Sequence, residues 1–358
     1  MKKDMTLAEL QAEVARMADR REDYIVPQNA LSFQASGPTA VEVLRFQGKE
    51  FPLSDHSQHQ LATTLRIPAG YYDRLRREHR DLLDLSVNRH LAETEKSRII
   101  RTLDGQARAF LSERFLRVDG DQLLAILLPE LEALGLNVES AHVNSSSLYV
   151  KVITPALEGE VSKGDVVRGG FAFSTSEVGM GQIRTDSMLD RLACRNGLIV
   201  GTSLSSYRRR HVGSVVMAQE GTGLAMNEVA PSFVELQRRV RESIRVALSE
   251  ANFKGLLDQL RITRGLAIPS ALDLEVVVLR IRRKLGLLDS EASAILSQLG
   301  REERSLFGLI QAVTRCAQDV TSYDRATEME AMGGTLLGIS HREWEDLVVP
   351  AAETKLAA

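Results

Sequence analysis

Six short segments between Arg98 and Asp186 read as strands, and a single helix-length pattern interrupts them. They are Arg98–Leu103, Ala107–Ser112, Asn137–Val143, Ser147–Ile153, Val166–Thr175 and Gln182–Asp186. Each is rich in β-branched and apolar residues, and Gly-, Ser- or Asn-containing turns separate most of them. Asp104-Gly105 is a strong hairpin signal between the first two. Asp119 or Asp121 caps the helical pattern, which runs to Leu134 with Pro129 inside it, and Gly135 stops it. The order is strand, strand, helix, then a meander. It predicts an α+β fold built on a mostly antiparallel sheet core, with flanking helices packed on one face.

Both flanks contain helices. Residues 1–94 open with a charged amphipathic helix that lacks the apolar stretch of a secretory signal. A strand comes next at Ala40–Phe46, with a turn at Gly48-Lys49. Ser54 or Asp55 then caps a helix ending near Leu65, and Pro68 suits the first turn of the next. This helical hairpin resembles a short helix-turn-helix, and Arg74, Arg76, Arg77, His79 and Arg80 crowd its second helix. Its bland reading is an ordinary hairpin with a solvated charged face. From Leu224 to Ala358 the pattern is helical: Asn227–Ser249, a helix from Pro269-Ser270 to Gly286, one capped by Asp289 or Ser290, Arg301–Gln318, and Asp324–Met332 ending at Gly333-Gly334. Three regions are therefore expected: 1–94 with the hairpin, a core over 97–221, and a helical region over 224–358. A chain of 358 residues is expected to hold two or three packed units.

Composition narrows the setting. No apolar run approaches the roughly 20 residues needed to span a bilayer, so no membrane role is expected. The two cysteines, Cys194 and Cys316, lack metal-ligand spacing, which fits a reducing cytoplasm. Net charge is −3, so no global basic field announces nucleic acid. Nine of the 45 basic residues are lysine and the other 36 are arginine. A GC-rich genome accounts for such a balance. Arginine is also the better residue for bidentate phosphate contacts and for stacking on bases.

The motifs of common chemistries are missing. There is no G-x-x-x-x-G-K-[ST] loop, H-E-x-x-H, paired C-x-x-C or G-x-S-x-G. Gly179-Met180-Gly181 has no third glycine or helix in register for a dinucleotide. No cofactor or metal is expected. His56 and His59 share a helical face without a third ligand, which reads as solvent exposure. Glu177, Asp186 and Asp190 read as turn caps or partners of Arg184 and Arg191 rather than as hydrolytic acids. Cys194 with His211 is the one nucleophile-base pair to weigh, although nothing in the sequence brings the two together. The bland reading makes Cys194 a small buried residue and Asn196-Gly197 a turn.

The stretch Phe171–Gly213 crowds small, polar and glycine residues into one half and basic residues into the other. It reads as a surface. As a strand, Arg208-Arg209-Arg210-His211 sends Arg208 and Arg210 to one face and Arg209 and His211 to the other. Guanidinium groups bind phosphate oxygens, and the ring of Tyr207 offers a base something to stack on. A strict strand turns Tyr207 away from Arg208, so the two act together only across a bulge or turn. The bland alternative is a solvated basic strand paired with local carboxylates.

Ile67-Pro68 with Tyr71-Tyr72 and Asn88-Arg89, then Ala109–Phe115, then Ser174–Gly179 are blocks that resemble those of a phage- and plasmid-like protein family whose shared domain has no assigned function. The most specific is Arg191-Leu192-Ala193-Cys194-Arg195-Asn196-Gly197-Leu198 with the later Arg210-His211-Val212-Gly213, similar to the family's "R-x-x-C-x-NG … RH-x-G" signature. Ala312–Arg315 and Glu330–Gly334 resemble its C-terminal blocks. Phe115 stands where tyrosine is usual, and Thr175 where asparagine is usual. The resemblance implies cargo of bacterial mobile elements, a setting rich in recombination and replication. With the arginine strand, it leads to the expectation of a DNA-binding protein in the bacterial cytoplasm that binds or anneals single strands. Arg208, Arg210 and Tyr207 are the expected contacts, with Arg191, Arg195 and His211 in support. Three other classes are kept: a sequence-specific duplex binder using residues 54–80, an enzyme using Cys194 and His211, and a homo-oligomer held by the helical C-terminal part.

Overall fold

The computed structural model describes residues 1–37, 41–115, 117–201, 207–210 and 233–349, with 207–210 and residue 233 described as backbone only. Helix α1 (Leu7–Arg20) opens the chain. Thr6 and Glu9 form its capping box, and Leu10, Val14 and Met17 are its buried stripe. Strand β1 (Arg21–Pro27) comes next, and then a small sheet of β2 (Ser32–Gln34), β3 (Val43–Phe46) and β4 (Lys49–Pro52) in sequential order. The turn between β3 and β4 places Gln47 and Gly48 at positive φ, as a tight hairpin requires. Helices α2 (Asp55–Thr64), α3 (Ala69–Glu78) and α4 (Arg80–Leu91) pack beside it, with Ser54 capping α2. Strands β5 (Ser97–Leu103) and β6 (Gln106–Ser112) form the hairpin predicted around Asp104-Gly105. Phe33, Leu44, Leu61, Leu83, Ile100 and Phe110 share the resulting core.

Residues 1–94 do not stand apart from the rest of the chain. Strand β1 pairs along its whole length with β5, and α1 leaves that unit to pack on the next one. The second unit is a central antiparallel sheet ordered β11-β10-β9-β8-β7. Its strands are β7 (Val138–Val143), β8 (Leu148–Ser162), β9 (Asp165–Thr175), β10 (Gln182–Arg191) and β11 (Asn196–Val200). The expected turn at Asn196-Gly197 is thus the start of a strand. The turn lies just before it, where Arg195 adopts a φ of 51°. Strand β12 (Tyr207–Arg210) also pairs with β10. Strand β11 covers Ser187–Arg191 and β12 covers Gln182–Thr185, so the two lie end to end along one edge.

Alternation divides the sheet's faces. Leu148, Val150, Val152, Phe171, Phe173 and Ile183 meet α1, α5 (Gly120–Ala133) and α6 (Phe233–Ala247) in one core. Each such side chain contributes roughly 1.5–3 kcal/mol when fully buried. Helix α7 (Glu250–Gly265), for which the sequence pattern names no helix, packs on β8. The opposite face is not bare, as a one-sided arrangement would leave it. Helix α11 (Tyr323–Leu337) crosses it, and Ala172, Met188 and Ile199 pack there beside Ala331.

The C-terminal region is helical as expected: α8 (Leu274–Leu285), α9 (Asp289–Leu299), α10 (Leu306–Cys316), α11 and α12 (His341–Val348) share a large core with the far ends of β8–β11. Helix α8 is capped by Asp273 rather than starting at Pro269-Ser270, and ends as predicted at Gly286 in the left-handed conformation. Gly333-Gly334 do not stop α11, which continues to Leu337. Their role is close approach: a Cβ at Gly334 would sit 2.0 Å from the Ile199 carbonyl oxygen, so only glycine lets the helix lie this close to β11.

Candidate functional site

The floor of the exposed sheet face is written by alternate residues of three neighbouring strands. Tyr149 and Lys151 come from β8, Ala172 and Ser174 from β9, and Arg184 and Asp186 from β10. Helix α11 rises beside them and supplies Asp324, Thr327, Glu328 and Met332 as a wall. The turns at 144–147 and 176–181 close the rim. Together they enclose a cleft of about 890 Å3.

Lys151 anchors the wall to the floor. It is fully buried, with Nζ 2.7 Å from Glu330 Oε2 and 2.9 Å from Thr327 Oγ1. Its ammonium also sits 4.5 Å from the centre of the Tyr323 ring. Burial pushes the Lys151 pKa down, and the Glu330 charge opposes that shift. Tyr149 donates to Asp324 Oδ1 at 2.9 Å, and Asn144 donates to Oδ2 at 2.8 Å. Arg184 pairs with Asp186 at 2.8 Å. The cleft's charged groups are therefore largely paired among themselves.

The rim turn at 176–181 is held from several sides. Ser176 Oγ donates to the Ser146 carbonyl at 2.7 Å and accepts from the Met180 amide at 3.1 Å. The Val178 carbonyl accepts from Gln60 at 2.7 Å and lies 3.1 Å from the His56 ring nitrogen. His56 is thus a half-buried docking residue rather than a solvated one, and burial lowers its pKa. His59 is exposed. Glu177 ties the turn to the N-terminal unit. Arg108 donates to its Oε2 at 2.5 Å, the Gly120 amide to its Oε1 at 2.6 Å, and Arg101 to its carbonyl at 2.8 Å. Arg101 is itself fully buried between Asp23 and Asp119. Glu177 therefore acts neither as a turn cap nor as a partner of Arg184 or Arg191.

Of the six residues expected to contact nucleic acid, the five that are described fall in two places. Arg191 lies at the far end of β10, 2.6 Å from Asp165 and 5.2 Å from the Phe307 ring centre. That partner, rather than Asp190, holds it. Arg195 is exposed in the turn before β11. Arg184 and Arg191 are seven strand residues apart, about 23 Å, so Arg191 and Arg195 do not share the cleft. Tyr207, Arg208 and Arg210 lie on β12, whose backbone pairs Arg208 with Arg184, Arg210 with Gln182, and Tyr207 with Thr185. No register shift falls within this stretch, so the bulge needed to join Tyr207 to Arg208 is not there. His211 lies outside the described residues.

The other expected sites are also placed. Buried Glu42 binds both Arg76 and Arg80, at 3.1 and 2.9 Å, and Arg74 pairs with Glu78. Two of the hairpin's arginines are thus spent on a buried carboxylate, while Arg74, Arg77 and His79 are exposed. Cys194 is a half-buried free thiol 3.6 Å from an Arg191 nitrogen. Cys316 is buried, and burial pushes its pKa up to about 11. A maleimide at neutral pH should therefore label at most the Cys194 thiol of the folded chain and both thiols after denaturation. Labelling of Cys316 in the folded protein would contradict the packing of α10. Among the described residues no cluster of His, Cys, Asp and Glu fits a metal ion, and no helix is long and apolar enough to cross a membrane.

Sequence reasoning missed Lys151, Tyr149, Met180 and Asp324. For Lys151 a signal existed: a lone lysine within the apolar alternation Leu148–Ile153. The model of a family described as "Domain of unknown function (DUF932)" matches residues 111–339, more than half of the chain. No curated protein and no solved structure matches.

Proposed function

The chain belongs to the DUF932 family, and we propose that it binds single-stranded DNA along the edge of its central sheet, as a component of a phage or plasmid acting in the bacterial cytoplasm. The observation that carries this reading is the register of β12. It sets the Arg208 and Arg210 positions directly beside Arg184 and Gln182, two residues that line the cleft. An arginine run on a sheet edge next to an open, polar trough is a suitable arrangement for tracking a phosphate backbone. Arg208 and Arg210 are assigned the phosphate contacts. Arg191, held by Asp165, is assigned a packing role instead. The duplex reading is less well supported, because Glu42 engages two of the hairpin's arginines. Strand annealing during recombination fits a protein that holds single strands, and the mobile-element setting rests on resemblance alone.

The test is a binding screen over labelled single-stranded DNA, duplex DNA and RNA at two salt concentrations. Single-stranded DNA should bind more tightly than a random duplex of equal length, and more weakly at the higher salt. Equal affinity for duplex, or no binding at low salt, would refute the proposal.

A further inference from the structure

We propose that the cleft receives an unstacked base of the bound strand, and that Met180 is the apolar wedge parting that base from its neighbour. This rests on the reading of the chain as a single-strand binder and adds how the strand is held.

Three observations point there. First, Met180 stands at the mouth of the cleft with 59% of its surface exposed, on a turn whose backbone is fixed by Ser176, Gln60 and Gly179. Gly179 adopts a φ of 77° and packs closely under Leu111. The turn is therefore stiff, and its methionine is presented to solvent without the entropy cost of ordering a loose loop on binding. Met180 is also two residues from Gln182, the backbone partner of Arg210. Methionine is among the side chains that insert between base steps.

Second, the cleft's charge suits a base rather than a phosphate. Asp186, Asp324 and Glu328 line it against Lys151 and Arg184, and buried Glu330 already pairs with Lys151. A phosphate on the floor would face this excess of carboxylates, whereas the exocyclic amino group of a base finds acceptors there. Phosphates would stay at the arginine edge while bases turn inward. Third, about 890 Å3 lies within the range of pockets that hold small ligands.

The experiment uses a single-stranded oligonucleotide with one 2-aminopurine inside an adenine run, whose fluorescence rises when the base unstacks. Saturating wild-type protein should raise the signal. Met180→Ala should lose most of that rise and bind about tenfold more weakly, with an unchanged dependence on salt, because no phosphate contact is removed. Met180 is exposed, so the variant should keep the wild-type thermal midpoint. If wild type binds the oligonucleotide but gives no rise, or if Met180→Ala matches wild type in both affinity and signal, the wedge is refuted and strand binding stands. If wild type does not bind at low salt, both proposals fail.

Discussion

Glu330→Ala should destabilise the protein by about 3–5 kcal/mol, because it leaves the Lys151 ammonium buried without a counter-charge. Both side chains have no solvent exposure, and their atoms meet at 2.7 Å. The pair joins the sheet floor to α11, so its loss should also loosen the wall of the cleft. Urea unfolding monitored by circular dichroism measures the change. The deficit should depend on pH in a defined direction. Burial already lowers the Lys151 pKa in the folded state, so the unfolded chain holds the extra proton between the folded value and the ordinary lysine value. Stability of the variant should therefore recover as pH rises through that window. Replacing both partners, as Lys151→Met with Glu330→Met, should restore most of the loss, since two apolar groups leave no orphan charge. A cost of Glu330→Ala below about 1 kcal/mol would mean the ammonium reaches water or another partner.

Reversing charge at the sheet edge should act on binding and leave the fold intact. Arg208→Glu with Arg210→Glu is expected to weaken single-stranded DNA binding at low salt by at least about a hundredfold, since two attractive phosphate contacts become repulsive. The register puts the new carboxylates next to Gln182 and Arg184, on a face whose lining already includes Asp186, Asp324 and Glu328. Thermal melting separates a folding defect from a binding defect: a retained midpoint with lost affinity supports the assignment. Arg191→Ala should behave in the opposite way. Its removal leaves Asp165 without that ion pair and Phe307 with the Arg264 guanidinium but not that of Arg191 over its ring, so the midpoint should fall before specific affinity does.

Legibility in the chain tracks how local each cause is. Strands β7 to β10 of the central sheet and the β5–β6 hairpin are legible because their causes, period-two alternation and the turn at Asp104-Gly105, each lie within a few residues. The helix cap at Ser54 is equally local. Gly333-Gly334 misled because a glycine pair signals a helix stop in sequence, whereas here it answers the Ile199 backbone more than a hundred residues earlier. Asn196-Gly197 misled in the same way: the pair reads as a turn, but Gly197 lies under Met188 and Glu330 within a strand. Partner choice was the least legible feature. Arg191 pairs with Asp165, 26 residues back, and Glu177 pairs with Arg108, 69 residues back. Neither separation leaves a local trace. The same holds for the cleft, which depends on α11 crossing a face that the sequence pattern had left uncovered.

The central claim is that an arginine edge beside the cleft holds a phosphate backbone, and salt titration of affinity tests it most directly. For wild-type protein on a labelled single-stranded oligonucleotide, log affinity should fall with log salt with a slope of about −1.4 or steeper, corresponding to two or more phosphates neutralised, and Arg208→Glu with Arg210→Glu should flatten it. A slope near zero for wild type, or an identical slope for the variant, would contradict the account.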